Sequence, residues 1–219
     1  MPSSSLSQPE PQPQPGLQPR SEPEPQPEPA PQSQGSAAAP SLSWPEHPLT
    51  GERVHLRRAD ERDIRLAQIL SGDPYIPRIG SLPPNATDAQ AREWVDHQRS
   101  SVERGAGFSF TIVDTGSDTP VGNCGVWLRE LSNGRASAGY AVAPPYRGRG
   151  LAADALSVLT GFAAELPGLH RIELCIEPWN SASARTAEAA GYVREGLMRS
   201  HQWIGGQRRD MLLYARVVR

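Results

Sequence analysis

The chain has 219 residues and a formal charge of −2, from 22 basic and 24 acidic side chains. This balance argues against nucleic acid as a partner, because domains that bind it usually carry a basic surface. No apolar run is long enough to cross a membrane or to form a signal peptide, so we expect no membrane association and a cytoplasmic location. Cys124 and Cys175 both fall within apolar strand patterns. We therefore predict two buried, reduced thiols, with no disulfide and no metal site.

Two segments of the chain differ sharply in composition. Residues 1–43 are mostly Pro, Gln, Ser, Glu and Ala, with almost no large apolar side chain. Such a segment cannot bury enough apolar surface to offset the entropy lost on folding. We therefore predict a disordered tail over residues 1–43 and one folded domain over residues 44–219.

The domain alternates between strand and helix patterns along the chain. Asp60 is a predicted N-cap, Thr87 and Gln90 spell a capping box, and Gly191 is a predicted helix stop. Period-two patterns predict strands over residues 54–58, 108–113, 121–128, 136–143, 171–177, 192–203 and 211–218. Helical spacing predicts helices after Asp60, after Thr87, from Gly150 and over residues 181–190. The sequence thus predicts a mixed α/β domain of about seven strands and four helices.

A long loop is predicted between the first two helices, over residues 71–86, which are rich in glycine and proline. Long loops in compact domains often bind ligands. Tyr75 and Arg78 within it are therefore candidate substrate-binding residues.

Residues 147–152, here called the glycine turn, connect a predicted strand to a predicted helix. The first N–H groups of a helix are unpaired and carry partial positive charge. Gly148 and Gly150 lack the Cβ atoms that would keep a ligand away from these groups. Arg147 and Arg149 add two positive charges, so the turn is a predicted anion site suited to a pyrophosphate.

Several interpretations compete for this turn. A P-loop requires a lysine, and the chain contains none. Residues 148–153 fit a loose dinucleotide-binding spelling, with Glu173 downstream, but two prolines separate the turn from its strand. A structural turn without a ligand would not need two flanking arginines. The remaining pattern, Arg/Gln-x-x-Gly-x-Gly/Ala, is matched by Arg147–Ala152 at each defined position.

Four motifs in order resemble those of the GNAT N-acetyltransferase superfamily, in its RimJ/RimL branch. They are Gly139–Ala152, the segment from Pro178 to Tyr192 with its Asn-x-x-Ser and Glu-x-x-Gly-Tyr patterns, Glu195–Arg199 and Arg209–Ala215. The resemblance covers residues 50–218. It implies a central mixed sheet in which the strand before the glycine turn splays from its neighbour.

The resemblance also implies acetyl-CoA as co-substrate, with no metal. Backbone groups of Tyr140, Ala141 and Val142 would pair with the pantetheine amides. The N–H groups of Arg147, Gly148, Arg149, Gly150, Leu151 and Ala152 would hold the pyrophosphate. Asn180 matches a family position near the cofactor arm, and it is also a predicted N-cap.

The same resemblance suggests catalytic residues for direct attack of an amine on the thioester. Ser183 matches the serine proposed to serve the leaving sulfur, and a helix-surface serine is the alternative. Gln202 stands where some relatives carry a glutamate base, and an amide cannot accept the proton at neutral pH. We therefore predict Glu177 as the base, with His201 or a water chain as alternatives.

The predicted acceptor is a protein or peptide N-terminal amine, or else a small-molecule amine. A catalytically silent acyl-CoA sensor or interaction module is the alternative function. Monomer and homodimer both stay open.

Overall fold

The computed structural model describes residues 42–218. Residues 1–41 of the predicted tail lie outside the described residues, and so does Arg219, so the predicted boundary stays a prediction. The first described residues already belong to the folded domain, since Leu42 and Trp44 pack against the main core. The Trp44 ring lies edge-on to Phe108 and Phe110, at centroid distances of 5.7 and 5.5 Å.

Eight strands form one mixed sheet in the order β1-β2-β3-β4-β5-β6-β8-β7. All neighbouring strands are antiparallel except β5 and β6, which are parallel. The strands are β1 Leu49–Thr50, β2 Val54–Arg58, β3 Gly107–Asp114, β4 Thr119–Trp127, β5 Arg135–Val142, β6 Arg171–Ile176, β7 Val193–Ile204 and β8 Gln207–Val217.

Five α-helices are present within the described residues. They are α1 Ile64–Ser71, α2 Ile76–Ile79, α3 Asp88–Arg99, α4 Leu151–Ala164 and α5 Ser181–Ala189. Helices α4 and α5 pack on one face of the sheet over the main core, and α1, α2 and α3 build a second core on the other face. The predicted fold class is confirmed.

The structure adds one strand and one helix to the predicted set. Strand β1 has only two residues, too few for a periodic pattern. Helix α2 lies inside the predicted loop, where proline and glycine obscured it. Its first turn is capped by the carboxylate Oδ1 of Asp73, which accepts from the amides of Tyr75 and Ile76 at 2.8 and 2.9 Å. Pro77 is tolerated because it stands in this first turn.

The prediction of two buried thiols is wrong for one cysteine. Cys124 is buried, whereas Cys175 is exposed, and both are free. The core face of β6 carries Ile172, Leu174 and Ile176. Since successive side chains of a strand point to opposite faces, Cys175 shares the outer face with Arg171 and Glu173.

Strands β5 and β6 separate along their length, as the resemblance implied. Their pairing covers only Arg135–Ser137 against Arg171–Glu173. Beyond it β5 continues to Val142 and β6 to Ile176 without contact in the ladder. The sheet therefore has a wedge-shaped opening at its centre, here called the β5–β6 opening.

A carboxylate in the first turn of α4 holds this helix against β2. Asp154 Oδ2 accepts from the backbone amides of Arg53 and Val54 at 2.7 and 3.0 Å. Its Oδ1 accepts from Glu52 at 3.3 Å. These bonds pair two amides of the β1–β2 connection and the first amide of β2, and they fix the position of the helix start.

Candidate active site

The glycine turn has the geometry expected of an anion site. Gly148 and Gly150 have φ angles of 75° and 78°, in the left-handed region that favours glycine. Helix α4 starts at Leu151 without a side-chain cap. Within residues 42–218 no oxygen accepts from the amides of Gly148, Arg149, Gly150, Leu151 or Ala152. Five unpaired donors at a helix start form a site for a phosphate or pyrophosphate.

The amide of Arg147 does not belong to this set, contrary to the prediction. It already donates to the carbonyl of Pro144 at 3.3 Å, closing a single 3₁₀ turn over Pro144–Tyr146. The turn can therefore offer donors from Gly148 onward.

The two arginines of the turn are not free charges either. Arg147 Nη2 lies 2.7 Å from Asp73 Oδ2, and its Nε donates to the carbonyl of Val142 at 2.9 Å. Arg149 Nη2 lies 3.2 Å from Asp114 Oδ2. Both charges are thus partly compensated within the protein, and Arg147 serves as a connection between the glycine turn and Asp73.

A third arginine, which sequence reasoning missed, supplies an uncompensated charge beside the turn. Arg53 Nη1 donates to the carbonyl of Arg149 at 3.2 Å. A Cβ atom added at Gly150 would lie 3.5 Å from the same nitrogen. Within the described residues Arg53 has no acidic partner. It is 96 residues from Arg149 in sequence, so no local pattern links them.

The open edge of β5 presents alternate residues to the β5–β6 opening. The amide of Ala143 donates to Val121 of β4, so by strand alternation the backbone groups of Ala141 also face β4. Those of Tyr140 and Val142 face the opening. The carbonyl of Val142 already accepts from Arg147. Of the three predicted pantetheine contacts, this leaves both groups of Tyr140 and the amide of Val142, and it excludes the backbone of Ala141.

Ser183 and Asn180 lie at the α5 side of the opening. Asn180 caps α5, its Oδ1 accepting from the amide of Ser183 at 3.0 Å. The Ser183 hydroxyl lies 2.6 Å from the hydroxyl of Tyr140. Burial raises the pKa of the Tyr140 hydroxyl, so it stays protonated at neutral pH. A hydrogen-bonded pair of hydroxyls thus lies across the opening.

Glu177 lies at the other side, on the sheet face that carries α2. Its side chain is 4% exposed, and Arg209 Nε lies 3.6 Å from its Oε1. The Tyr75 hydroxyl lies beside this carboxylate and beside Asn180. Burial, followed by the nearby Glu177 charge, raises the pKa of Tyr75, so this hydroxyl is a hydrogen-bond donor at neutral pH. Sequence reasoning missed Arg209, which stands opposite Gln202 in the β7–β8 pairing.

Helix α2 brings both predicted acceptor residues to this side of the opening. The ring of Tyr75 packs edge-on against Trp179 at 4.9 Å. Arg78 lies beside the β7–β8 hairpin, its Cδ 3.6 Å from a Cβ position on Gly205.

Burial alone would raise the pKa of Asp73, but hydrogen bonds from Ile76, Tyr75 and Arg147 hold it below its ordinary value. Asp73 is therefore a carboxylate at neutral pH. Its Oδ1 accepts from the amides at the start of α2, and its Oδ2 accepts from Arg147 of the glycine turn.

Residues 42–218 contain no group of three or more His, Cys, Asp or Glu side chains arranged to hold a metal ion. In the same residues no helix combines the length and the apolarity needed to cross a membrane.

Comparison with known proteins gives the family. Residues 53–193 match the acetyltransferase (GNAT) domain. An uncharacterized N-acetyltransferase, p20 of Bacillus licheniformis, is 26% identical over 164 residues, which are 75% of this chain and 92% of that protein. The chain therefore belongs to the GNAT acetyltransferase family.

Solved structures share the fold. RimL, a ribosomal L7/L12 α-N-protein acetyltransferase solved with coenzyme A, superposes with a TM-score of 0.68 at 22% identity, covering 78% of this chain and 98% of its own. Mycobacterium smegmatis RimJ, solved with a CoA disulfide, gives 0.66 at 24% identity, covering 78% and 86%. The protein is an acyl-CoA-dependent N-acetyltransferase with acetyl-CoA as co-substrate. The unpaired amides of the glycine turn and the open edge of β5 fit this co-substrate.

Proposed function

We propose that the protein transfers the acetyl group of acetyl-CoA directly to the α-amine of a peptide or protein N terminus. The observation that carries this proposal is the buried Glu177 carboxylate, which follows β6 directly and lies beside Tyr75 and 3.6 Å from Arg209. A general base must lie within hydrogen-bond reach of the amine, directly or through one water. Glu177 is placed to meet an acceptor that enters between α2 and the β7–β8 hairpin.

The chain's own groups divide the work between the two sides of the opening. The turn amides from Gly148 onward hold the pyrophosphate, and Tyr140 and Val142 pair with the pantetheine arm. Glu177 accepts the proton of the ammonium, which frees the nitrogen lone pair for attack on the carbonyl carbon. As the carbon–sulfur bond breaks, the Ser183 hydroxyl gives its proton to the sulfur and takes the second proton of the attacking nitrogen, leaving an acetylated amine and the CoA thiol.

The small number of carboxylates described at the acceptor side favours an N-terminal amine over a polyamine. A polycation would require several carboxylates at the acceptor side. The two carboxylates described there both have partners: Asp73 is engaged by Arg147 and by two amides, and Glu177 lies 3.6 Å from Arg209. The likeness in fold to RimL and RimJ is consistent with this choice. A cytoplasmic location and the choice between monomer and homodimer stay predictions from the sequence.

The experiment is a thiol-release assay on the full chain with acetyl-CoA and a set of short peptides. Each peptide is offered with a free and with a blocked N terminus, and the products are identified by mass spectrometry. We expect thiol release and a mass gain of one acetyl group with the free peptides alone. Binding of acetyl-CoA without turnover on any amine would instead support the sensor function.

The substitution Asp73→Asn tests whether the Asp73–Arg147 ion pair positions Tyr75 and Arg78, the residues predicted to bind the acceptor. The amide oxygen can still cap α2, but the group facing Arg147 loses its charge. Because Arg147 is about half exposed, we expect a rise in the acceptor KM of roughly three- to tenfold, from a loss of about 1 kcal/mol. The affinity for acetyl-CoA should change less.

Asp114→Asn is the matched control, because it removes the aspartate partner of Arg149 in the same turn without touching α2. Steady-state kinetics with a free peptide would compare the two variants. An unchanged acceptor KM in Asp73→Asn, or an equal rise in both, would contradict a positioning role.

A further inference from the structure

Two arginines at the acceptor side have hydrogen-bonding capacity to spare. The guanidinium of Arg78 forms no hydrogen bond and no ion pair with any of residues 42–218. Arg209 contacts Glu177 at 3.6 Å, beyond hydrogen-bond distance, and its side chain is 44% exposed. Since a guanidinium carries five N–H donors, both residues can bind an anion that arrives with the acceptor.

The two arginines lie between Glu177 and the tip of the β7–β8 hairpin. Tyr75 is the N-cap residue of α2, and its carbonyl accepts from the amide of Arg78 at 2.9 Å, so the two residues lie near each other. Tyr75 is beside Glu177, and Arg78 is beside Gly205 at the tip of the β7–β8 hairpin. Arg209 is two residues from Gln207, where β8 leaves that tip, a distance of roughly 7 Å along the strand. A peptide extended from Glu177 toward the hairpin would pass both arginines within its first few residues.

The acids on this side leave Arg78 without a counter-charge. Glu177 lies 3.6 Å from Arg209 and partly compensates its charge, and Asp73 is the partner of Arg147. Asp210 follows Arg209 in β8 and so points to the opposite sheet face, where its Oδ1 accepts from the amide of Ser200 at 2.7 Å. An acceptor with further positive charges would thus meet repulsion next to the amine-binding position, and one with negative charges would meet attraction.

We propose that the acceptor is an amine with a carboxylate close to it, recognised by Arg209 and Arg78. Among the sources of this chemistry, the extended path favours a peptide N terminus followed by acidic side chains over a free amino acid. This inference rests on the proposed N-acetyltransferase function and names the substrate class of the same site.

The test compares three peptides that differ at residues 2 and 3 alone: Ser-Glu-Glu, Ser-Gln-Gln and Ser-Arg-Arg, each with the same neutral extension. Free serine and spermidine form two further arms. We expect kcat/KM for the acidic peptide to exceed that for the neutral one roughly five- to tenfold, with the basic peptide lowest. Raising the ionic strength should reduce the difference, since partly exposed charges are screened.

Two variants keep the comparison specific. In Arg209→Ala and in Arg78→Ala the ratio of acidic to neutral kcat/KM should fall toward one, whatever happens to the absolute rates. Arg208→Ala is the matched control: the adjacent side chain points to the other face, toward Ser200, so its ratio should stay that of the wild type.

Different outcomes would contradict the anionic acceptor and the proposed acetyl transfer to an N-terminal amine. Equal kcat/KM for all three peptides, or a preference for the basic peptide or spermidine, would overturn the anionic acceptor and leave the N-acetyltransferase intact. A preference for free serine over every peptide would overturn the peptide source. No thiol release with any amine would overturn the proposed function itself.

Discussion

The variant Glu177→Gln should lose roughly 10²- to 10⁴-fold in kcat/KM for the amine acceptor while binding acetyl-CoA as the wild type does. Glutamine keeps the shape of the side chain and can still contact Tyr75, but it cannot accept the proton of the ammonium. The loss should shrink at high pH, where more of the acceptor amine is already neutral. Steady-state thiol release and calorimetric titration with acetyl-CoA would measure the two quantities.

Glu173→Gln is the control for this prediction. Glu173 is the preceding carboxylate on the same face of β6, but it pairs with Arg171 and lies where β5 and β6 are still joined. Its replacement should leave kcat/KM within about twofold, since a partly exposed ion pair away from the reacting groups contributes little. A Glu177→Gln enzyme with wild-type kcat/KM would remove Glu177 from the mechanism and direct attention to His201 or to water.

The variant Gly150→Val should weaken acetyl-CoA binding at least tenfold, a loss of about 1.4 kcal/mol or more. At a φ of 78° a β-branched side chain is strained and places its methyl groups over the unpaired amides of the turn. The free protein has room for the Cβ atom itself, since the nearest atom would be an Arg53 nitrogen at 3.5 Å. Titration calorimetry with acetyl-CoA would give the change in affinity.

Gly168→Val separates the effect on binding from the effect on stability. Gly168 has the same φ of 78°, and a Cβ atom there would contact nothing within 4 Å. Both variants should lose a similar free energy of unfolding, of about 1–3 kcal/mol, as measured by urea denaturation. Equal affinities for acetyl-CoA in the two variants would place the pyrophosphate elsewhere.

Features written in short stretches of sequence were predictable. The glycine turn, the capping box of Thr87 and Gln90, and the alternation of β6 each depend on residues within a few positions of one another. Such local signals give the strands, the longer helices and the start of α4. The separation of β5 from β6 came with the family resemblance rather than from periodicity.

Contacts between distant residues were not predictable. Arg147 and Asp73 are 74 residues apart in sequence. Arg147 was predicted to face the pyrophosphate, but its guanidinium instead binds Asp73, the residue that caps α2. Arg53 stands in no motif, and the motif that begins at Arg209 does not indicate that its side chain reaches Glu177; both positions follow from how the strands pair. The prediction for Cys175 was wrong because an apolar strand pattern does not say which of its two faces is covered.

The most direct test of the active-site placement is amide hydrogen exchange, measured by NMR on the full chain with and without acetyl-CoA. We expect slower exchange at the amides of Gly148, Arg149, Gly150, Leu151 and Ala152, and at Tyr140 and Val142 on the open edge of β5. Ala141, which faces β4, should change little. Acetyl-CoA binding that protects other amides and leaves the glycine turn unchanged would contradict the placement of the active site.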